Sequence, residues 1–148
     1  MSTALLDVNV LVALFDAAHV NHEEAHDWLA SHGRRKWATC PLTIHGCIRV
    51  LSGVGYPRVA ASAAEVASRL RTFCEKPGHE FWPDDISLLD EARFRAAKIA
   101  GPQQMTDVYL LGLAVARDGQ LVTFGRSIPL AAVAGANSSH LRILGGAV

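Results

Sequence analysis

The feature that most constrains the fold is an alternation of short apolar runs with longer stretches of helical spacing. The runs at 4–8 (ALLDV), 37–40 (WATC), 80–82 (EFW), 120–124 (QLVTF) and 141–144 (LRIL) have strand length. Such runs, apolar without strict alternation, suit strands buried on both faces, as in a parallel sheet. Residues 9–15 (NVLVALF) read as a strand end passing into a short helix. Helices are expected at 19–31, 43–51, 62–75, 88–100 and 106–118. Asn21 is placed to cap the first of these, with Glu23 and Glu24 in its opening turn and Gly33 past its end. Thr106 is the expected N-cap of the last, with Asp107 in its first turn and Gly119 beyond it. The breakers are SGVGYP at 52–57, Pro77-Gly78 and Gly101-Pro102. Strands alternating with helices predict one α/β domain over residues 1–148, a sandwich around a mostly parallel sheet. Ligand sites in such sheets lie at the carboxyl ends of the strands.

Composition narrows the class. Half of the 148 residues are hydrophobic and 19% are charged, which excludes a disordered chain. The 14 basic and 14 acidic residues cancel, so bulk charge cannot coat nucleic acid and only local basic patches remain for that task. No apolar run approaches the ~20 residues of a membrane span. The stretch 110–116 is short and broken by Gly112, and no cationic segment precedes an apolar one as in a signal peptide. Cys40, Cys47 and Cys74 are odd in number and lack CxxC spacing, so they read as free thiols in a reducing cytoplasm.

Two acids stand out. Asp7 interrupts an apolar strand-like run, where an ionised carboxylate needs a partner, solvent or a metal. Asp107 opens an otherwise apolar helix, where its plain role is to complement the helix dipole. Two hard oxygen donors meeting at strand ends would suit Mg²⁺ or Mn²⁺. The stretch HEEAH at 22–26 also fits H-E-x-x-H, a zinc-hydrolase pattern, but no third ligand is evident.

Taken together, LLDVNVLVALFD at 5–16, HVNHEEAHDWL at 19–29, WATCPLT at 37–43, IRVLS at 48–52, FWPDDISLLD at 81–90, MTDVYLLGLAVARDGQLVTF at 105–124 and the closing HLRIL resemble the PIN-domain ribonuclease toxins of the VapC type. The resemblance covers essentially the whole chain. It implies a PIN-like α/β/α sandwich and a metal-dependent endoribonuclease, the toxin of a type II toxin–antitoxin pair. It further implies cleavage of structured RNA such as tRNA or rRNA, Mg²⁺ as cofactor with Mn²⁺ as substitute, and a homodimer. The partner would be a VapB-type antitoxin whose C-terminal segment covers the site. Of the family's four clustered acids, Asp7 and Asp107 match the first and third. Ile44 stands where the second, a Glu, is usual, and Gly125 where the fourth, an Asp, is usual.

Two carboxylates repel less than four and bind metal more weakly. A single Mg²⁺ held by Asp7 and Asp107, its shell completed by RNA, is the expected arrangement. Asn9, Thr106 and Thr123 are candidate positioning groups, Ser127 flanks the missing fourth acid, and His45 is a candidate base or ligand. Arg126 and Arg49 are candidate RNA contacts, with the basic turn Arg34, Arg35, Lys36 as a further one. Val54, Tyr56 and Val59 are candidate dimer contacts. The alternative function is a decayed PIN domain that binds antitoxin or RNA without cutting.

Overall fold

The structure is a computed structural model that describes residues 2–53, 56 and 61–145. Five strands form one sheet: β1 (Ala4–Leu6), β2 (Trp37–Thr39), β3 (His79–Phe81), β4 (Gln120–Thr123) and β5 (Leu141–Ile143). Their order is β3-β2-β1-β4-β5, and every neighbouring pair is parallel. The chain builds outward from β1 in one direction and then returns to build in the other. The switch falls between β1 and β4, where a crevice opens at the carboxyl ends of the strands.

Five α-helices cover the sheet: α1 (Val8–Phe15), α2 (His22–His32), α3 (Pro41–Leu51), α4 (Ala63–Phe73) and α5 (Met105–Ala116). The period-two alternation of the strands divides the core. Ala4, Leu6, Trp37 and Val122 face the layer built from the first four helices. Leu5, Ala38 and Leu121 face α5. Close approach is secured by small residues. A Cβ on Gly46 of α3 would stand 2.6 Å from Val8 of α1, and one on Gly112 of α5 would stand 2.3 Å from the Phe94 ring.

The expected helix at 88–100 does not form. This stretch holds turns, a lone antiparallel bridge between Phe94 and Val133, and a short 3-10 turn at Ala96–Lys98. Two influences outweigh helical propensity. The Asp90 carboxylate accepts from the amide of Ala92 (3.0 Å), a local turn bond that competes with a helix. The amide of Arg95 donates to the Ala132 carbonyl (2.8 Å), and that of Ala134 donates to the Arg93 carbonyl (2.8 Å). The segment thus covers the sheet as an irregular strap, with Phe94 buried against α5.

The start of α5 also differs from expectation. A 3-10 turn at Pro102–Gln104 runs into the helix, Gln104 occupies the N-cap position, and Thr106 lies inside the first turn. Asn21 does take the N-cap position of α2, without a side-chain capping bond, and Gly33 ends that helix at φ 65°.

Candidate active site

Asp7 follows β1 directly and is the N-cap of α1, with extended backbone (φ −68°, ψ 161°). Its side chain is buried. One carboxylate oxygen accepts from the Val8 amide at 2.7 Å, and the other accepts from the Thr123 hydroxyl at 2.7 Å. That meeting follows from register: Leu6 pairs with Val122, so the next residue of each strand stands at the same sheet edge. The Thr123 oxygen in turn accepts from the Gly125 amide (2.9 Å) and from Asn9 Nδ2 (3.3 Å). Asn9 Oδ1 accepts from the Phe124 amide (3.2 Å). With both acceptor positions of its oxygen used, the Thr123 hydroxyl must donate, and residue 7 must offer an acceptor. This network requires an oxygen acceptor facing Thr123.

Asp107 reaches the same crevice from the first turn of α5. Asp7, Asp107, Asn9, Thr106, Arg49 and His19 all line one cavity of about 400 Å³. Burial, and after it the nearby Asp7 charge, push the Asp107 carboxyl up to about 6. Burial also raises Asp7, opposed by its bonds from Thr123 and Val8. The pair, Asp7 buried and Asp107 half-buried, is therefore a like-charge couple that a cation would relieve.

The other sequence candidates distribute as follows. Gly125 borders the carboxylates: a Cβ there would lie 3.8 Å from Asp107 Oδ2 and 3.3 Å from the Thr123 hydroxyl. Ile44 packs against the core and lines the groove between α3 and α4 with Ile48 and Leu70, outside the carboxylate cavity. His45 lies exposed on α3, one turn before Arg49. Arg126 is not among the cavity residues, and its guanidinium donates to the Gly145 carbonyl. The Ser127 carbonyl accepts from Gln104 Nε2 (2.9 Å), which ties the loop after β4 to the entry of α5. Arg34, Arg35 and Lys36 precede β2 and so sit at the opposite edge of the sheet, where Lys36 pairs with Glu80 (3.2 Å).

The zinc reading of HEEAH is overturned. His22 Nδ1 donates to the Ala13 carbonyl (2.7 Å) and His26 Nε2 to the Leu14 carbonyl (3.0 Å). These bonds cap the last turn of α1, which Arg69 completes at the Phe15 carbonyl (2.8 Å). Among the described residues, no group of three or more His, Cys, Asp or Glu side chains could hold a metal.

Sequence reasoning missed the cavity's other wall. Tyr56, a candidate dimer contact, lines the cavity, and its hydroxyl donates to Asp16 Oδ2 at 2.5 Å. Val54 and Val59 lie outside the described residues. Asp16 is buried and carries the signal that singled out Asp7, an acid closing an apolar run.

The two carboxylates suit a hard divalent cation that keeps most of its shell in water or substrate oxygens. A family model, the PIN domain, matches residues 4–135. Ribonuclease VapC44 of Mycobacterium tuberculosis is 45% identical over 141 residues, covering 95% of this chain and 99% of that protein. The chain belongs to the VapC-type PIN-domain family. Ribonuclease VapC39 of the same organism is 36% identical over 133 residues, covering 90% of this chain and 96% of that one. The crystal structure of M. tuberculosis VapC20, described as a sarcin–ricin loop cleaving toxin, shares the fold with a TM-score of 0.58. It is 14% identical and covers 84% of this chain and 90% of its own. The matched residues 4–135 take in Asp7, Asp107 and strands β1 to β4 of the parallel sheet.

Proposed function

We propose that this chain is a divalent-metal-dependent endoribonuclease, the toxin of a type II toxin–antitoxin pair acting in the cytoplasm. The observation that carries the reading is the couple of Asp7 and Asp107 in one cavity, with Asp107 pushed up to about 6 by burial and by its neighbour's charge. Such a couple is unfavourable by itself and favourable around a cation. Asp7 and Asp107 would hold Mg²⁺, or Mn²⁺ in its place. When bound, the ion supplies electrostatic stabilisation of the phosphoryl oxygens and an activated water.

The chain's own residues do the rest. Thr123 and the Val8 amide fix the orientation of Asp7, and Asn9 fixes Thr123. Asp107 sits opposite, half-buried, and sheds its proton as pH rises through about 6. Arg49 brings positive charge to the cavity wall, where an RNA phosphate needs it. The relatives named as ribonucleases support RNA as the substrate, with tRNA or rRNA as the expected class. A VapB-type antitoxin would cover the cavity with its C-terminal segment, and the toxin would be a homodimer. Among the described residues, no helix is long and apolar enough to cross a membrane.

One observation favours a second reading, a PIN domain that binds antitoxin or RNA without cutting. Gly125 presents only hydrogen beside Asp107, and no third acid joins the couple among the described residues. Cleavage of total RNA by purified, antitoxin-free protein separates the two. The trials are Mg²⁺, Mn²⁺ and EDTA, beside an Asp7→Ala, Asp107→Ala double variant. The first reading expects discrete fragments that need metal and vanish in the variant. Absence of cleavage by folded protein selects the second.

A further inference from the structure

We propose that His19 is a substrate-binding residue, donating a hydrogen bond from Nε2–H to a phosphate oxygen of the RNA strand beside Asp7 and Asp107. The inference rests on the reading above only in taking RNA as the ligand. His19 lies in the α1–α2 connection and lines the carboxylate cavity. Its ring is fixed by the backbone: the Asn21 amide donates to Nδ1 at 3.0 Å. A nitrogen that accepts carries no proton, so the neutral ring bears its hydrogen on Nε2 and has a donor to offer.

The loop that carries His19 is rigidly tied. The His19 amide donates to the Asp16 carbonyl (2.9 Å), and the His22 amide donates to the His19 carbonyl (3.0 Å). The buried Asp16 carboxylate accepts from the Ala18 amide (3.0 Å) and from the Tyr56 hydroxyl (2.5 Å). Asp16 is thus a positioning residue for His19.

Donors are scarce on this wall. The Tyr56 hydroxyl is given to Asp16, and Asn9 is engaged with Thr123 and the Phe124 amide. Val8, Val12 and Val50 are apolar. A polyanion entering beside two carboxylates needs donors on the facing wall, and His19 and Arg49 supply them. His19 lines the cavity and is only partly buried, so its Nε2–H can exchange water for a ligand acceptor, and the phosphate oxygens of RNA are acceptors on every nucleotide.

Two variants separate binding from loop structure. His19→Asn keeps an acceptor near Nδ1 for the Asn21 amide but withdraws the distal donor. His19→Gln restores a donor near Nε2. The readout is the Kd of a fluorescently labelled single-stranded RNA of mixed sequence, in EDTA, across a salt series. His19→Asn is expected to keep the wild-type Tm and to weaken binding roughly tenfold, the loss of one hydrogen bond to a charged group. Its salt slope should match wild type, because a neutral ring displaces no counterion. Arg49→Ala should flatten that slope by about 0.7. His19→Gln should regain most of the affinity. Wild-type affinity in His19→Asn overturns the proposal, as does an equal loss in His19→Gln, or no RNA binding by wild type. Binding that depends on His19 in a protein that never cleaves RNA would sink the ribonuclease reading and leave this one standing.

Discussion

Thr123 shows how much one hydroxyl can organise. It is buried and holds Asp7, Asn9 and the Gly125 amide around a single oxygen. Thr123→Val keeps the shape and orphans all three partners. A loss of about 2–3 kcal/mol is expected in chemical denaturation, with Thr123→Ser close to wild type. Asp107 behaves in the opposite sense. Its carboxyl is raised from 3.8 to about 6, so the folded state holds that proton more tightly than the unfolded chain does. The stability this contributes is complete below about pH 4 and is lost as pH rises through about 6. Asp107→Asn should therefore raise Tm above pH 6, by roughly 4 °C after discounting for its solvent-facing half, and the gain should vanish below pH 4. Thermal melts of both proteins across that range check this. Asp7 and Asp107 were legible because acids in apolar runs require a reason. The Thr123 hub was not, since a threonine at a strand end is unremarkable until register sets it against Asp7.

The elements differ in how far local sequence decides them. The five strands and the helices α1 to α4 follow from apolar runs, periodicity and end signals; Ser62 and Glu65, for example, close a reciprocal capping box on α4. The segment 88–100 fails that test because its backbone bonds go to residues about 40 positions later in the chain. No local pattern announces such a partner. The same long-range logic explains HEEAH: His22 and His26 are spent on the open carbonyls at the end of α1. Gly112 belongs to this scale too. In the sequence it interrupts the apolar stretch 110–116, and in the fold it is the seat of Phe94. Gly112→Ala should cost about 1–3 kcal/mol by displacing that buried ring, despite its better helix propensity. Denaturant titration distinguishes the two effects by sign.

At the scale of the whole molecule, one sheet edge gathers groups from five separate parts of the chain. Asp7 comes from the junction of β1 and α1, Thr123 from β4, Asp107 from α5, Arg49 from α3 and His19 from the loop between α1 and α2. The resemblance located Gly125 beside this couple, and the geometry agrees, since a Cβ there would approach Asp107. Ile44, where the resemblance expects a Glu, lines the groove between α3 and α4. The account's central claim is that two carboxylates are enough to hold a divalent ion. Titration of Mn²⁺ into the purified protein above pH 7, followed by the resonance of the free ion, tests it most directly. The account predicts one site per chain, lost in Asp7→Asn and Asp107→Asn and tightened roughly tenfold in Gly125→Asp by an added charge contact. Wild-type protein that takes up no Mn²⁺, with RNA present or absent, would contradict it, all the more if Gly125→Asp does take it up.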